Sequence, residues 1–362
     1  MSQTYRVLTI NPGSTSTKIA CYDDDRCIME RALSHSAEEL ARYDTINDQL
    51  ELRFEAVRSA LEAESIPLRS LSAVVGRGGL IYPVEGGTYR VNDLMVRHLT
   101  DGVLGSHASN LGGILARRIA DTAGGVPSFI VDPVVVDELA PEARPSGIPD
   151  LERISIFHAL NQKAVARRFA ADVNRTYEDL LLVIAHLGGG VTVGAHRRGR
   201  VIDVNDGLNG DGPFTPERSG SIPALKIVDL CFSGRYEEGE IRKMIKGRGG
   251  LVAHLGTNDG REVGARIDGG DEDAARIYRA MAFQIGRAIG AAAAALGEKP
   301  DAIILTGGLA HDERLTEWIR TQVEWIAPFH RYPGEDEMRA LAEGAVRVLT
   351  GAEDAREYEG KR

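Results

Sequence analysis

Three short glycine-rich runs hold the residue types from which an anion site can be made. They are Asn11-Pro12-Gly13-Ser14-Thr15-Ser16-Thr17-Lys18, His186-Leu187-Gly188-Gly189-Gly190-Val191-Thr192 and Thr306-Gly307-Gly308-Leu309-Ala310. Small residues let backbone N–H groups approach a phosphate closely, and the hydroxyls and Lys18 add further donors. Each run alone also reads as a polar hairpin turn or a wide bulge. All three follow an apolar segment, and that recurrence argues for a common ligand. The P-loop pattern is absent, and no G-x-G-x-x-G opens a helix after a strand with the expected downstream acid. A phosphate site here is therefore neither Walker-type nor Rossmann-type, which argues against a Rossmann oxidoreductase.

Other residues of reactive type stand among small neighbours. Arg77 lies in Val75-Gly76-Arg77-Gly78-Gly79 and Arg218 in Glu217-Arg218-Ser219-Gly220. A guanidinium is permanently charged and grips a carboxylate or phosphoryl group through two donors. Asp132 follows the apolar segment Ser128–Val131; it either faces a site from a strand end or forms an Asx turn before Pro133. His158 begins an otherwise apolar helix, where it can donate to a phosphoryl oxygen. His107 and His186 are further candidates, with a structural role as the alternative for each.

In their order and spacing these pieces resemble the acetate and butyrate kinase (acetokinase) family, of the actin, sugar-kinase and Hsp70-like (ASKHA) superfamily. Within it the likeness runs to the butyrate kinases. The resemblance rests on the three glycine-rich runs and on Val75–Gly79, Ser106-His107-Ala108-Ser109-Asn110, Val131-Asp132-Pro133, Ile156-Phe157-His158 and Glu217–Gly220. It implies an α/β chain of two duplicated, ribonuclease H-like domains flanking a nucleotide cleft and closing on ATP. Residues 1–150 with about 337–362 would form the first domain, carrying much of the acyl-substrate site. Residues 151–336 would form the second, carrying most of the nucleotide site.

The implied reaction is reversible, Mg²⁺-dependent transfer of the ATP γ-phosphoryl group to butyrate, giving butanoyl phosphate and ADP. Isobutyrate, propionate and acetate are alternative acceptors, and a non-catalytic nucleotide-binding regulator is the alternative function. Because the carboxylate is already an anion, catalysis needs mainly charge stabilisation and in-line positioning. By resemblance Arg77 holds the substrate carboxylate with Gly78, Gly79 and His107 beside it. Arg218 and His158 attend the transferring phosphoryl, and Asp132 orients the acceptor. ATP would lie on Ser14, Lys18, His186, Gly188, Gly189, Gly190, Gly307 and Gly308, with Asp259 and Arg261 at the adenine-ribose end. Mg²⁺ would be met by Asn11, Asp132 and Glu337, with Glu335 and Asp336 left open as rivals for the last place. A homodimer or higher homo-oligomer is implied too.

The chain departs from acetate kinases at two places. Gly189 stands where they have asparagine, and Gly78-Gly79 where they have two valines. The second change predicts an acyl pocket enlarged for longer chains, each buried CH₂ being worth about 0.8 kcal/mol.

Alternating strand-like and helix-like segments must position these residues. Strands are predicted over 7–10, 17–22, 71–75, 128–131, 180–185, 191–196 and 302–305. Helices are predicted over 48–64, 109–122, 155–171, 273–296 and 337–349, the last before a charged tail expected to fray. In the helix over 273–296, Ala274, Ile277, Met281, Ile285, Ala288 and Ala292 recur every three or four residues, and Gly297 ends it. The plan of strand, glycine-rich turn and strand occurs twice, at Val7–Tyr22 and Leu181–Asp203, which fits a duplicated domain.

The composition suits such an enzyme. With 362 residues, 43% apolar and 27% charged, the chain is globular and long enough for two domains. Its net charge of −10 argues against nucleic-acid or anionic-membrane partners. Three cysteines without metal-ligand spacing fit a reducing compartment, and no signal-peptide or membrane-length apolar run is present. A cytoplasmic location is expected.

Overall fold

The computed structural model describes residues 4–361. They divide into two compact units, one running to Val136 and resuming at Asp336, the other Asp137–Glu335.

Unit 1 opens on β1 (Arg6–Pro12), β2 (Ser16–Asp23) and β3 (Arg26–Ser34), followed by α1 (Ala37–Leu40) and α2 (Leu50–Ala63). Next come β4 (Ala73–Gly76), β5 (Thr88–Arg90), α3 (Asp93–Asp101), α4 (Asn110–Thr122) and β6 (Ser128–Val131). Unit 2 contains α5 (Ala159–Asp172), β7 (Leu181–Leu187), β8 (Val191–Arg197) and β9 (Arg200–Val204). It continues through α6 (Ala224–Cys231), α7 (Glu238–Ile245), α8 (Gly250–Leu255), α9 (Gly260–Asp268) and α10 (Glu272–Leu296). After β10 (Ala302–Gly307), α11 (Glu313–Val323) and β11 (Phe329–Pro333), the chain returns to unit 1 as α12 (Glu337–Leu349).

Among the described residues the two sheets repeat one plan. In unit 1 the strand order is β3-β2-β1-β4-β6-β5, and in unit 2 it is β9-β8-β7-β10-β11 when read from the matching edge. In both, the first two pairings are antiparallel and the next two parallel. β5 is an addition to unit 1, antiparallel to β6. The duplication read from the recurring hairpin is thus present in the topology.

Period-two alternation explains the layers of unit 2. Val183, Ala185 and Leu187 of β7 share a core with Ile277, Met281 and Ile285 of α10, while Leu182 and Ile184 pack with Val165 and Phe169 of α5. α10 starts where Asp271 Oδ1 accepts from the Ala274 N–H at 2.9 Å, and it stops at Gly297, whose φ is +68°.

Three expectations change. Residues 137–150 go with unit 2: Glu138 pairs with buried Lys163 at 2.9 Å, and the Ala140 N–H donates to Ile202 O at 2.8 Å. The helix predicted from Ser155 starts at Ala159, with His158 as its N-terminal flanking residue. The tail does not fray. Arg356 bonds through its backbone to Thr88 and Arg90, and Tyr358 is buried with its hydroxyl 2.8 Å from His98 Nδ1.

Candidate active site

In unit 1 the paired strands β1 and β2 bring Asn11 opposite Lys18. The turn between them closes with the Gly13 N–H donating to Ser16 O at 2.7 Å, leaving Ser14 and Lys18 exposed. Behind the turn lies Arg53 of α2, only 1% exposed. Its guanidinium donates to Ser14 O, Ser16 O, Thr17 Oγ1 and Gln49 Oε1 at 2.9–3.3 Å, and burial lowers its pKa. Sequence reasoning missed Arg53, since an arginine on an amphipathic helix reads as surface.

The end of β4 delivers Arg77. Its N–H donates to Ile10 O at 2.8 Å, tying the strand end to β1. The guanidinium forms an ion pair with Glu337 Oε1, while Asn11 Nδ2 donates to Glu337 Oε2 at 2.7 Å. Three expected residues thus meet at the first turn of α12. Of the rival acids, Glu337 joins the Arg77–Asn11 group of unit 1, and Glu335 stands in unit 2 with its Oε1 3.1 Å from His186 Nε2.

Asp132 is buried at the end of β6 in a left-handed conformation, with φ +37°. Its N–H donates to Gly87 O at 3.0 Å, and its Oδ1 accepts from the Gly87 N–H at 2.7 Å. An exact-fit bridge of this kind holds a sparsely populated backbone shape in place. His107 is exposed, 2.8 Å from Ser109 Oγ through Nδ1. The adjacent Asn110 is buried and ties two loops, accepting from the Leu80 N–H at 2.9 Å and donating to Gly105 O at 3.0 Å.

Gly78 and Gly79 serve a different purpose from the one predicted. A Cβ on Gly78 would stand 2.5 Å from Pro133 Cβ, and one on Gly79 would stand 2.6 Å from Asn110 Cα. Their missing side chains admit neighbouring protein, not acyl carbons. The enlarged-pocket argument therefore fails on these two positions.

In unit 2 the β7–β8 turn carries His186 at its entry and Gly188-Gly189-Gly190 across it. The His186 Nδ1–H donates to Asn161 Oδ1 at 2.8 Å. His158 stacks on His186, ring centroids 3.8 Å apart and 12° from parallel, and its Nδ1 lies 2.9 Å from Thr192 Oγ1. The Arg218 guanidinium covers Gly190 so closely that a Cβ there would lie 1.9 Å from its Nη1, and it donates to Gly207 O. Burial lowers the Arg218 pKa, opposed by Glu217 and Asp206. Since a guanidinium stays charged regardless, the desolvation strengthens its field locally. Thr215, also missed in the sequence, fixes this corner. Its hydroxyl donates to Gly189 O at 2.6 Å and accepts from the Arg218 N–H at 3.1 Å.

An open cavity of about 1140 Å³ adjoins the turn, lined in part by Gly188, Gly189, Asp259, Arg261 and Gly308. Nucleotide-sized ligands need clefts of roughly 300–1,000 Å³. Asp259 caps α9, its Oδ1 accepting from the Arg261 N–H at 2.9 Å, and the Arg261 guanidinium folds back onto it at 2.8 Å. That pairing lowers the carboxyl pKa to about 2. Gly307 is a structural glycine: its φ is +88° and a Cβ would meet Leu187 O at 2.4 Å. At Gly308 a Cβ would meet nothing within 4 Å.

Among the described residues no three His, Cys, Asp or Glu side chains form a metal cage. Both Glu337 oxygens are engaged, as is Asp132 Oδ1. This fits an ion that keeps its waters and is bound mostly by phosphate oxygens. No helix among the described residues is long and apolar enough to cross a membrane.

Residues 152–323, all in unit 2, match the model of the Acetokinase family. The structure is similar to acetate kinase of Porphyromonas gingivalis at 18% identity, covering 95% of this chain and 100% of that one, with a TM-score of 0.78. It is also similar to a propionate kinase from Francisella tularensis subsp. tularensis at 18% identity over 94% and 98% of the chains, TM-score 0.71. For acetate kinase from Entamoeba histolytica the values are 14%, 94%, 99% and 0.74. These likenesses establish the actin-like ASKHA fold.

Proposed function

We infer that this chain is a short-chain carboxylate kinase that moves the γ-phosphoryl group of ATP reversibly onto a fatty-acid carboxylate, yielding acyl phosphate and ADP. One grouping inside the acetokinase-family region carries the reading: Arg218 lies on Gly190 while His158 stacks on His186 beside the same turn. A regulator that merely binds nucleotide needs the turn and the cavity, and gains nothing from a desolvated guanidinium with paired imidazoles.

The turn amides of Gly188–Gly190, with Gly307, Gly308 and His186, would take ATP in unit 2, its ribose end toward Asp259 and Arg261. Ser14 and Lys18 would contribute phosphate donors from unit 1. Arg218 would stabilise the equatorial oxygens of the transferring group, assisted by His158. Arg77 already grips one carboxylate, that of Glu337, and the same fork would hold the substrate's. Asp132 would orient the acceptor, with His107 at the rim. Mg²⁺, held through water by Asn11, Asp132 and Glu337, would neutralise phosphoryl charge when bound.

The finer reading is butyrate as acceptor. Its support is the run of motifs resembling butyrate kinases; Gly78 and Gly79 add no volume to it. The test is hydroxamate formation with Mg-ATP, hydroxylamine and acids from C2 to C6. Hydroxamate from butyrate, with the highest kcat/KM at C4, is expected. ATP binding with no hydroxamate from any acid overturns the kinase; a preference for acetate overturns only the butyrate reading.

A further inference from the structure

Behind the β7–β8 turn lies a line of buried polar groups that the reaction as described does not use. Tyr177, His196, Gln162 and Thr192 are all at most 3% exposed. Tyr177 OH is 2.7 Å from His196 Nδ1, His196 Nε2 is 2.9 Å from Gln162 Oε1, and Thr192 Oγ1 is 2.9 Å from His158 Nδ1. Gln162 Nε2 completes the line, 3.0 Å from Thr192 O and 2.9 Å from Thr192 Oγ1.

We propose that this line is a one-way hydrogen-bond chain that fixes the His158 ring as the Nε2–H tautomer, making Thr192, Gln162, His196 and Tyr177 positioning residues for phosphoryl transfer.

The direction follows from what each group can accept. A peptide carbonyl only accepts, so the Gln162 nitrogen faces Thr192 and its oxygen faces His196. That oxygen in turn requires a proton on His196 Nε2. The neutral ring then presents Nδ1 as an acceptor for the Tyr177 hydroxyl. Neutrality is favoured by the surroundings: complete burial, with Lys163 and Arg167 nearby, pushes the His196 pKa well below its ordinary value. At the other end, Thr192 Oγ1 accepts one Gln162 proton. Among the described residues its remaining partner is His158 Nδ1, the one acceptor for its own proton. A fully buried hydroxyl left without an acceptor is destabilising, which sets the direction of this last link. Aligned bonds also polarise one another along the chain. His158 therefore carries its proton on Nε2, the nitrogen turned away from Thr192, where it can donate to a transferring phosphoryl oxygen.

The catalytic part of this proposal rests on the kinase reading, whereas the tautomer does not, and the test separates them. Long-range ¹H–¹⁵N spectra of the full-length protein with ¹⁵N-labelled histidine report each ring's tautomer. Neutral Nε2–H rings are expected for His158 and His196, and a His158 ring protonated on Nδ1 overturns the chain whatever the protein catalyses. Thr192→Val removes the last donor, and Thr192→Ser restores it. For Thr192→Val, kcat should fall roughly 10²-fold, the low end for loss of a positioned proton donor, with nucleotide Kd unchanged. Thr192→Ser should stay within about threefold, since it keeps the donor. Gln162→Glu presents an acceptor where the chain needs a donor, and the His158 tautomer should reverse. Should either non-conservative variant fail to fold, the wild-type and Thr192→Ser spectra still decide. Equal kcat for Thr192→Val and wild type in an active enzyme overturns the positioning role.

Discussion

In unit 1 the β1–β2 turn rests on a cation; in unit 2 the β7–β8 turn rests on neutral hydrogen bonds. Arg53 reaches three oxygens of the first hairpin from a buried position. In unit 2 the turn is held instead by Asn161, Gln162 and Thr215, which touch His186, Thr192 and Gly189. The sheets share strand order and direction. Duplication therefore preserved the frame and left the polar backing to diverge. On the proposed function the difference follows the electrostatics of each task. A buried cation behind Ser14–Lys18 adds positive field where an anionic group would approach. At the second turn the positive charge comes from Arg218, packed against Gly190. A neutral backing there avoids a second desolvated cation beside His158, whose role depends on where its proton sits.

The comparison can be broken at several points. The largest effect is expected from Arg218→Ala. Removing one preorganised charge donor should lower kcat by about 10²–10³-fold, with nucleotide affinity in binding calorimetry little changed. An equal loss in binding would make Arg218 a ground-state contact. Next is Arg53→Met, which strips a buried donor from the unit 1 turn. It should cost about 1–3 kcal/mol of stability in urea unfolding. A cost within 0.5 kcal/mol, the usual range for a surface substitution, would show that the cation is not what holds that turn. The smallest effects come as a pair of glycines. Gly78→Ala forces a Cβ against Pro133 and should destabilise by about 1–3 kcal/mol. Gly308→Ala meets open space and should change stability by less than about 0.5 kcal/mol. Reversal of that order would restore Gly78 as a wall of an open pocket.

Much of this arrangement was legible from residues alone. The hairpin strands, α4 and α10 have strong apolar periodicity, and the glycine-rich turns recur after them. Other parts were silent for physical reasons. β3 is largely exposed and lacks an apolar face, and α6 has no buried residue, so neither announces itself by period. Arg77 and Glu337 lie 260 positions apart, and only the fold brings α12 beside β1 and β4. Arg53 and Thr215 act through backbone carbonyls, which leave no mark on composition. Gly78 and Gly79 were misread because a missing side chain signals close approach without naming what approaches. The tail was misjudged by its charge, whereas Tyr358 anchors it through burial and through His98.

The central claim is that a carboxylate oxygen attacks the γ-phosphorus. Butyrate labelled with ¹⁸O on both oxygens, incubated with Mg-ATP and trapped with hydroxylamine, tests it most directly. Hydroxylamine cleaves the acyl C–O bond, so the released phosphate retains the bridging oxygen. The account predicts hydroxamate matched by phosphate bearing ¹⁸O; phosphate without label, accompanied by ADP and no hydroxamate, would show hydrolysis by water and contradict it.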